Sequence, residues 1–89
     1  MFKVVKRDGE ITEFNLNKIK DAITKAFRAT EKESNDDIIG LLALRVTADF
    51  QDKIHAGEIH VEDIQDCVEN VLEQAGYRDV AKAYILYGK

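Results

Sequence analysis

The stretch VVKRDGEITEFNLNKIKDAI, residues 4–23, decides the fold at the N-terminal end of the chain. Asp8-Gly9 lies between two runs rich in β-branched and aromatic residues, residues 2–6 and 11–14. Asp-Gly in that setting is the strongest short hairpin signal, because a tight type I′ turn needs positive φ at both central residues. Such a turn pairs Arg7 with Glu10 and Lys6 with Ile11, so Lys6 shares a face with Phe2, Val4 and Ile11. Lysine on a largely apolar face is unusual. The second run leads without a linker into Asn15, a good N-cap, after which Leu16, Ile19, Ala22, Ile23, Ala26 and Phe27 recur at helical spacing. Lys18 then falls at the third helical position, where a capping box places Glu.

The remainder of the chain reads as helices with short connections. Ser34-Asn35-Asp36-Asp37 resembles a capping box and opens a second helix running to about Lys53, with an apolar stripe of Ile38, Ile39, Leu42, Val46, Phe50 and Ile54. Gly40 costs that helix about 1 kcal/mol relative to alanine, which suggests close backbone packing. Residues 58–61 suit a short third strand. Val61, Ile64, Val68, Val71, Leu72 and Ala75 mark a third helix, with Glu62 and Asp63 at its start and Gly76 as its stop. Residues 77–87 read as a last helix burying Val80, Ala83, Tyr84 and Tyr87. The expected class is α+β, a four-helix bundle capped by a small three-stranded sheet made of the N-terminal hairpin and one short strand, in one domain spanning residues 1–89.

Composition bounds the function. The 89 residues are 45% hydrophobic and 34% charged, without proline, and carry one cysteine. This excludes a disulfide framework and a CxxC metal pair. No apolar run approaches the roughly 18 residues of a membrane span, and the N-terminus has no apolar signal core, so a cytoplasmic location is expected. A net charge of -4 argues against DNA or RNA as partner. Yet residues 1–28 contain Lys3, Lys6, Arg7, Lys18, Lys20, Lys25 and Arg28 against four acids, whereas residues 31–73 are strongly acidic. A local basic site on an acidic domain suits a small anion.

Positive charge at an already positive helix end costs about 0.3–1 kcal/mol, and a bound anion reverses that sign. Lys6, Arg7 and Lys18 therefore point to a phosphate-bearing ligand held between hairpin and helix. Against this stands the reading in which surface lysines near a helix start and an Asp-Gly hairpin are ordinary structure. Neither GxxxxGK[ST] nor GxGxxG occurs, so this is neither a P-loop nor a dinucleotide fingerprint.

The same residues resemble the ATP-cone domain, whose hallmark is a Val-x-Lys-Arg-Asp-Gly hairpin followed by Asn or Asp and then Lys-Ile. The matching positions are Val4, Lys6, Arg7, Asp8, Gly9, Phe14, Asn15, Lys18 and Ile19, and the likeness continues through IHVEDIQDCVENVLEQAGYRDVAKAYILY. It implies an allosteric nucleotide-binding module at the N-terminus of ribonucleotide reductases, with ATP favouring the active enzyme and dATP an inhibited one, usually through a change of oligomeric state. The family fold, a four-helix bundle with a three-stranded cap, agrees with the independent reading.

Carried over by position, Val5, Lys6, Arg7, Asn15, Lys18 and Ile19 line the nucleotide site, with Lys6 and Lys18 on phosphates and with Val61 and Gln65 facing the same pocket. Family members often have an acid near Thr12 that reads adenine; here Thr12 holds that place and Glu13 is adjacent. The last helix of the family usually continues with an arginine after YILY, where this sequence has Gly88 and Lys89. Mg²⁺ is expected as a phosphate-bound companion, because triphosphates normally carry it. Met1 stands directly before the hairpin, without the zinc ribbon of the family's transcriptional repressor. The opening MFKVVKRDGEITEFN and the KAYILY ending most resemble the anaerobic ribonucleoside-triphosphate reductase, so an N-terminal piece of a reductase is the expected parent, and the rest of that chain or its oligomer the expected protein partner.

No catalytic constellation is expected within the chain. His55 and His60 lack further ligands in metal geometry, and Cys67 on the third helix reads as a small buried residue. Glu62, Asp63, Asp66 and Glu69 form a solvated acidic face, and Tyr77, Tyr84 and Tyr87 read chiefly as packing residues, with one of them bordering the nucleotide or a subunit interface as the alternative. The competing reading from another class is a protein-interaction or oligomerisation module, with the basic hairpin only supporting the fold; a nucleotide hydrolase is a third.

Overall fold

The computed structural model describes residues 2–88, with the backbone alone for Tyr87 and Gly88. The burial expected of Tyr87 and the place of Lys89 lie outside the described residues. Strand β1 (Lys3–Val5) and strand β2 (Ile11–Glu13) form the hairpin, and helix α1 (Leu16–Ala29) follows. Helix α2 (Asp36–Asp49), a 3₁₀ turn (Gln51–Lys53), strand β3 (Glu58–His60), helix α3 (Val61–Gln74) and helix α4 (Arg78–Ala83) come next. The last helix ends in π-helical backbone, Tyr84–Gly88. The sheet order is β2-β1-β3, with β1 antiparallel to β2 and parallel to β3. The expected α+β architecture, four helices and a three-stranded cap, is the one observed.

The hairpin register differs by one from the expected pairing. Val5 faces Ile11 and Val4 faces Thr12, and Lys6 N–H donates to Glu10 O at 2.8 Å, so the loop is Arg7-Asp8-Gly9. Among these three only Gly9 has positive φ, at 87°. A two-residue I′ turn would require it at Asp8 as well, whereas a three-residue loop needs it once, at its last position. Asp8 Oδ1 accepts the Glu10 N–H at 2.9 Å and stabilises this alternative. Thr12 therefore replaces Ile11 as the neighbour on the inner face of β1, and Ile11 is left 51% exposed on the outer face.

The core is one cluster. Ile23 and Phe27 of α1, Leu42, Val46 and Phe50 from α2 and its end, Val68, Val71 and Leu72 of α3, and Val80 of α4 meet beneath Val4 and Ile59 of the sheet. Phe50 closes the sheet end of the bundle, and its ring sits 5.5 Å from that of Phe2 and 5.7 Å from that of Phe14, both edge-on. This placement also shortens α2. The α-helix stops at Asp49, Phe50 turns inward, and Lys53 N–H bonds to Phe50 O in a tighter turn. Two further expectations for α2 fail. Ile38 is 40% exposed and lies outside the buried stripe, and a Cβ at Gly40 would meet nothing within 4 Å, so Gly40 serves no close packing.

Helix α3 ends as its sequence requires. Tyr77 N–H donates to Leu72 O at 2.9 Å and Gly76 N–H to Glu73 O at 3.0 Å, the paired bonds of a Schellman stop, with Gly76 at φ 90°. A side chain at Gly76 has open space, so the cost of Gly76→Ala is confined to the backbone. Thermal unfolding should show it as a loss of about 1–2 kcal/mol.

Candidate functional site

Two helix starts converge on the inner face of the sheet, because α1 begins two residues after β2 and α3 begins directly after β3. Between them lies a cleft with an empty volume of about 650 Å³ including its open mouth. Val4, Ile19, Ile64, Val68 and Tyr84, all buried, make its floor, and Phe14, Ala22 and Val61 extend the apolar wall. Lys6, Thr12, Glu13, Asn15, Lys18 and Gln65 supply the polar groups, and a shallower depression continues outward along Glu13, Phe14, Asn15, Leu16 and Lys18.

The structure thus brings eight of the ten sequence-derived candidates to one cleft: Lys6, Thr12, Glu13, Asn15, Lys18, Ile19, Val61 and Gln65. Val5 and Arg7 are not among its lining. They border a neighbouring depression with Gly9, His60 and Glu62, which shares Lys6 and Val61 with the main cleft. Strand alternation accounts for this, since Val4 and Lys6 point inward and Val5 outward. Arg7 still touches the site at one remove. Its Nη2 donates to Gln65 Oε1 at 2.9 Å, and its Nε lies 3.8 Å from Glu62 Oε1. Both partners of that ion pair are largely exposed, so it contributes at most about 1 kcal/mol. Its geometric effect is to tie the hairpin loop to the first turns of α3.

Charge at the three long helix starts is uneven. Helix α2 has Asp36 and Asp37 in its first turn and α3 has Glu62 and Asp63, whereas α1 has no acid there. The α1 cap is well made, for Asn15 Oδ1 accepts the Asn17 N–H at 2.9 Å and Asn15 O the Lys18 N–H at 3.1 Å. Two of the end's orphan donors are therefore already used, and positive character at this rim rests chiefly on the side chains of Lys6 and Lys18.

Ile64, Val68, Phe14, Ala22 and Tyr84 line the cleft without having been singled out as site residues. Residues 61, 64, 65 and 68 fall on one helical face, so Val61 and Gln65 already implied Ile64 and Val68. Tyr84 arrives from the far end of the chain and had no local signal. Its burial, together with the carboxylates of Asp66 and Glu69, pushes the hydroxyl pKa up to about 12. Because the folded chain holds this proton more tightly, the associated stability is intact below pH ~10 and is lost as the pH rises through about 12. Urea unfolding should accordingly show stability falling by up to about 2–3 kcal/mol across that window, and Tyr84→Phe should flatten the fall.

Cys67 is buried, and burial pushes its thiol up against the opposing pull of Lys53, so it is an inert core residue at neutral pH. Among the described residues no group of three or more His, Cys, Asp or Glu is placed to hold a metal ion. No helix among them is long and apolar enough to cross a membrane.

Comparison with known proteins adds a second line of evidence. The family model of the ATP cone domain matches residues 2–89. The chain is 44% identical to the ribonucleoside-diphosphate reductase subunit alpha of Chlamydia pneumoniae, over 94% of this chain and 9% of that one. It is 41% identical to the vitamin B12-dependent ribonucleoside-diphosphate reductase of Mycobacterium tuberculosis strain H37Rv, over 96% of this chain and 11% of that one. Identity to the anaerobic ribonucleoside-triphosphate reductase of Haemophilus influenzae is 37%, over 97% of this chain and 12% of that one. The chain thus spans about a tenth of the length of these relatives, and the anaerobic enzymes are among them without standing above the others. With the hairpin, both helix starts and the bundle all inside the matched span, the chain belongs to the ATP-cone family.

Proposed function

We propose that this chain is an allosteric nucleotide-sensing domain of a ribonucleotide reductase, binding ATP or dATP in the cleft between the sheet, α1 and α3. The observation that carries the reading is the pair Lys6 and Lys18 beside a slot with an apolar floor. A nucleotide has that same division, with a flat apolar base and a highly charged triphosphate. Base and ribose take the slot over Val4, Ile19, Ile64 and Val68. The phosphates lie outward at Lys6 and Lys18, with Mg²⁺ bound to them as companion.

Thr12, Glu13 and Gln65 stand where the base edge would be read. Adenine presents an amino donor where guanine presents a carbonyl acceptor. Where Glu13 meets the 6-position, its carboxylate accepts from the adenine amino group and repels the guanine carbonyl, which favours ATP and dATP over GTP. Arg7 acts by holding Gln65 and closing the hairpin onto α3. The chain performs no chemistry of its own; it reports the nucleotide pool to a cytoplasmic reductase of which it forms part, and so to deoxyribonucleotide synthesis.

Isothermal titration with ATP, dATP and GTP, with and without magnesium, tests this directly. Saturable binding of both adenine nucleotides and weak or absent binding of GTP is the expected result. A folded chain that gives no heat with any nucleotide would overturn the proposal, and turnover of ATP would overturn the assignment of a purely regulatory role.

A further inference from the structure

Helix α3 gives the cleft four side chains, of which Val61, Ile64 and Val68 are apolar and Gln65 is polar. Gln65 is half-buried among them. A side-chain amide has a donor end and an acceptor end, and what holds one end decides which end a ligand meets. The holder here is Arg7, whose Nη2 donates to Gln65 Oε1 at 2.9 Å. A guanidinium carries N–H donors and no acceptor, so it can hold an amide only by its oxygen. The oxygen of Gln65 is therefore committed to the hairpin loop, and Nε2 is the end left for the cleft.

Arg7 is itself fixed from the same helix. Glu62 and Gln65 stand three residues apart on α3 and so share a face. Glu62 Oε1 lies 3.8 Å from Arg7 Nε, so the two contacts use different nitrogens of one guanidinium. The charge of Glu62 thus aims the fork that orients Gln65. The other polar groups of the cleft are engaged elsewhere or have the opposite sense. Asn15 Oδ1 accepts the Asn17 N–H, Lys6 and Lys18 carry positive charge, and Glu13, as a carboxylate, only accepts. An acceptor at Glu13 and a donor at Gln65 are complemented by a ligand edge that sets a donor beside an acceptor. Adenine has that edge, its 6-amino group flanked by the ring nitrogens N1 and N7.

We infer, on the nucleotide reading of the cleft, that Gln65 donates from Nε2 to an adenine ring nitrogen beside the amino group, and that Arg7 is the positioning residue that sets the amide this way round. Choice of base then depends on a residue outside the cleft lining, held by a surface ion pair. An amide turned the other way would present a second acceptor and oppose either ring nitrogen.

Isothermal titration of the chain with Mg-ATP and with its 1-deaza and 7-deaza analogues tests this, with circular dichroism to confirm the fold of each variant. Each analogue replaces one ring nitrogen by C–H and keeps the triphosphate, so affinity ratios cancel effects on the phosphates. One of the two analogues should bind about tenfold more weakly than ATP, the cost of a lost hydrogen bond that strands its donor. Gln65→Glu should erase or reverse that difference, because glutamate keeps and strengthens the bond to Arg7 but has no N–H to give. If Gln65 only tied the hairpin to α3, neither analogue would be penalised. Arg7→Ala should reduce the difference to about threefold by freeing the amide to turn, and Arg7→Lys, which also only donates, should retain most of it. Analogues that both bind the parent chain as well as ATP does would overturn the inference while leaving nucleotide binding intact. A difference that survives Gln65→Glu would overturn it equally, and one undiminished in Arg7→Ala would overturn the part given to Arg7. A folded chain that does not bind ATP would instead overturn the nucleotide reading, and this assignment with it.

Discussion

Lys18→Glu should weaken ATP binding by about 100-fold or more while making the unliganded chain slightly more stable. The two effects come from the same position. Lys18 is the third residue of α1 and follows the Asn15 cap. Glutamate there can return a hydrogen bond to the cap and complements the helix dipole, a gain of about 0.3–1 kcal/mol in the free protein. Toward a triphosphate the same change removes a charge-assisted contact, worth about 1.5–3 kcal/mol, and adds a repulsive one. Titration calorimetry and thermal unfolding of one variant read both signs. If Lys18 only decorated the surface, stability would still rise and affinity, wherever the nucleotide sat, would not fall. Lys6→Glu should lose affinity comparably, without the gain in stability, because it sits at a strand end with no helix dipole to complement.

Phe50→Ala should be the most damaging substitution for the fold. The ring is fully buried and holds Phe2 and Phe14 edge-on, so it locks the hairpin onto the bundle. Truncating such a side chain costs about 3–5 kcal/mol. A chain of this length has a total stability of roughly 5–13 kcal/mol, so the variant is expected to lose a large share of it. At about 4–8 °C per kcal/mol, the midpoint of thermal unfolding should fall by roughly 12–40 °C. Because Phe14 also walls the cleft, nucleotide affinity should fall even at temperatures where the variant remains folded. An unfolding midpoint within a few degrees of the parent would show that the aromatic trio does not hold the sheet to the helices.

Most of the architecture could be read from local chemistry. Asn15 caps α1 as expected, α2 opens within the expected Ser34-to-Asp37 segment but with Asn35 in place of Ser34 as its cap, Gly76 stops α3 through the bonds such a glycine allows, and residues 58–60 pair as the third strand. Departures occur where distant packing chooses between local options of similar energy. Asp8-Gly9 accommodates a two-residue or a three-residue loop, and the register that turns Val4 and Thr12 onto the core excludes the first. The apolar pattern of α2 is nearly continuous, so periodicity could not show that Ile38 faces solvent, nor that Gly40 stands in open space. Lys18 was legible at the site because an acid is the default at that place, a default both other long helices obey. Tyr84 was not, since only the folded bundle carries it beneath a cleft built from residues far earlier in the chain.

The central claim, that the cleft between sheet, α1 and α3 binds an adenine nucleotide, is tested most directly by titrating the isotopically labelled chain with Mg-ATP and following its backbone amide signals. The account predicts saturable shifts concentrated at Val4 to Lys6, Thr12 to Lys18 and Val61 to Gln65, with the middle of α2 unmoved at constant protein concentration. Shifts confined to α2 or to the acidic surface of α3, or a spectrum of the folded chain that ATP leaves unchanged, would contradict it.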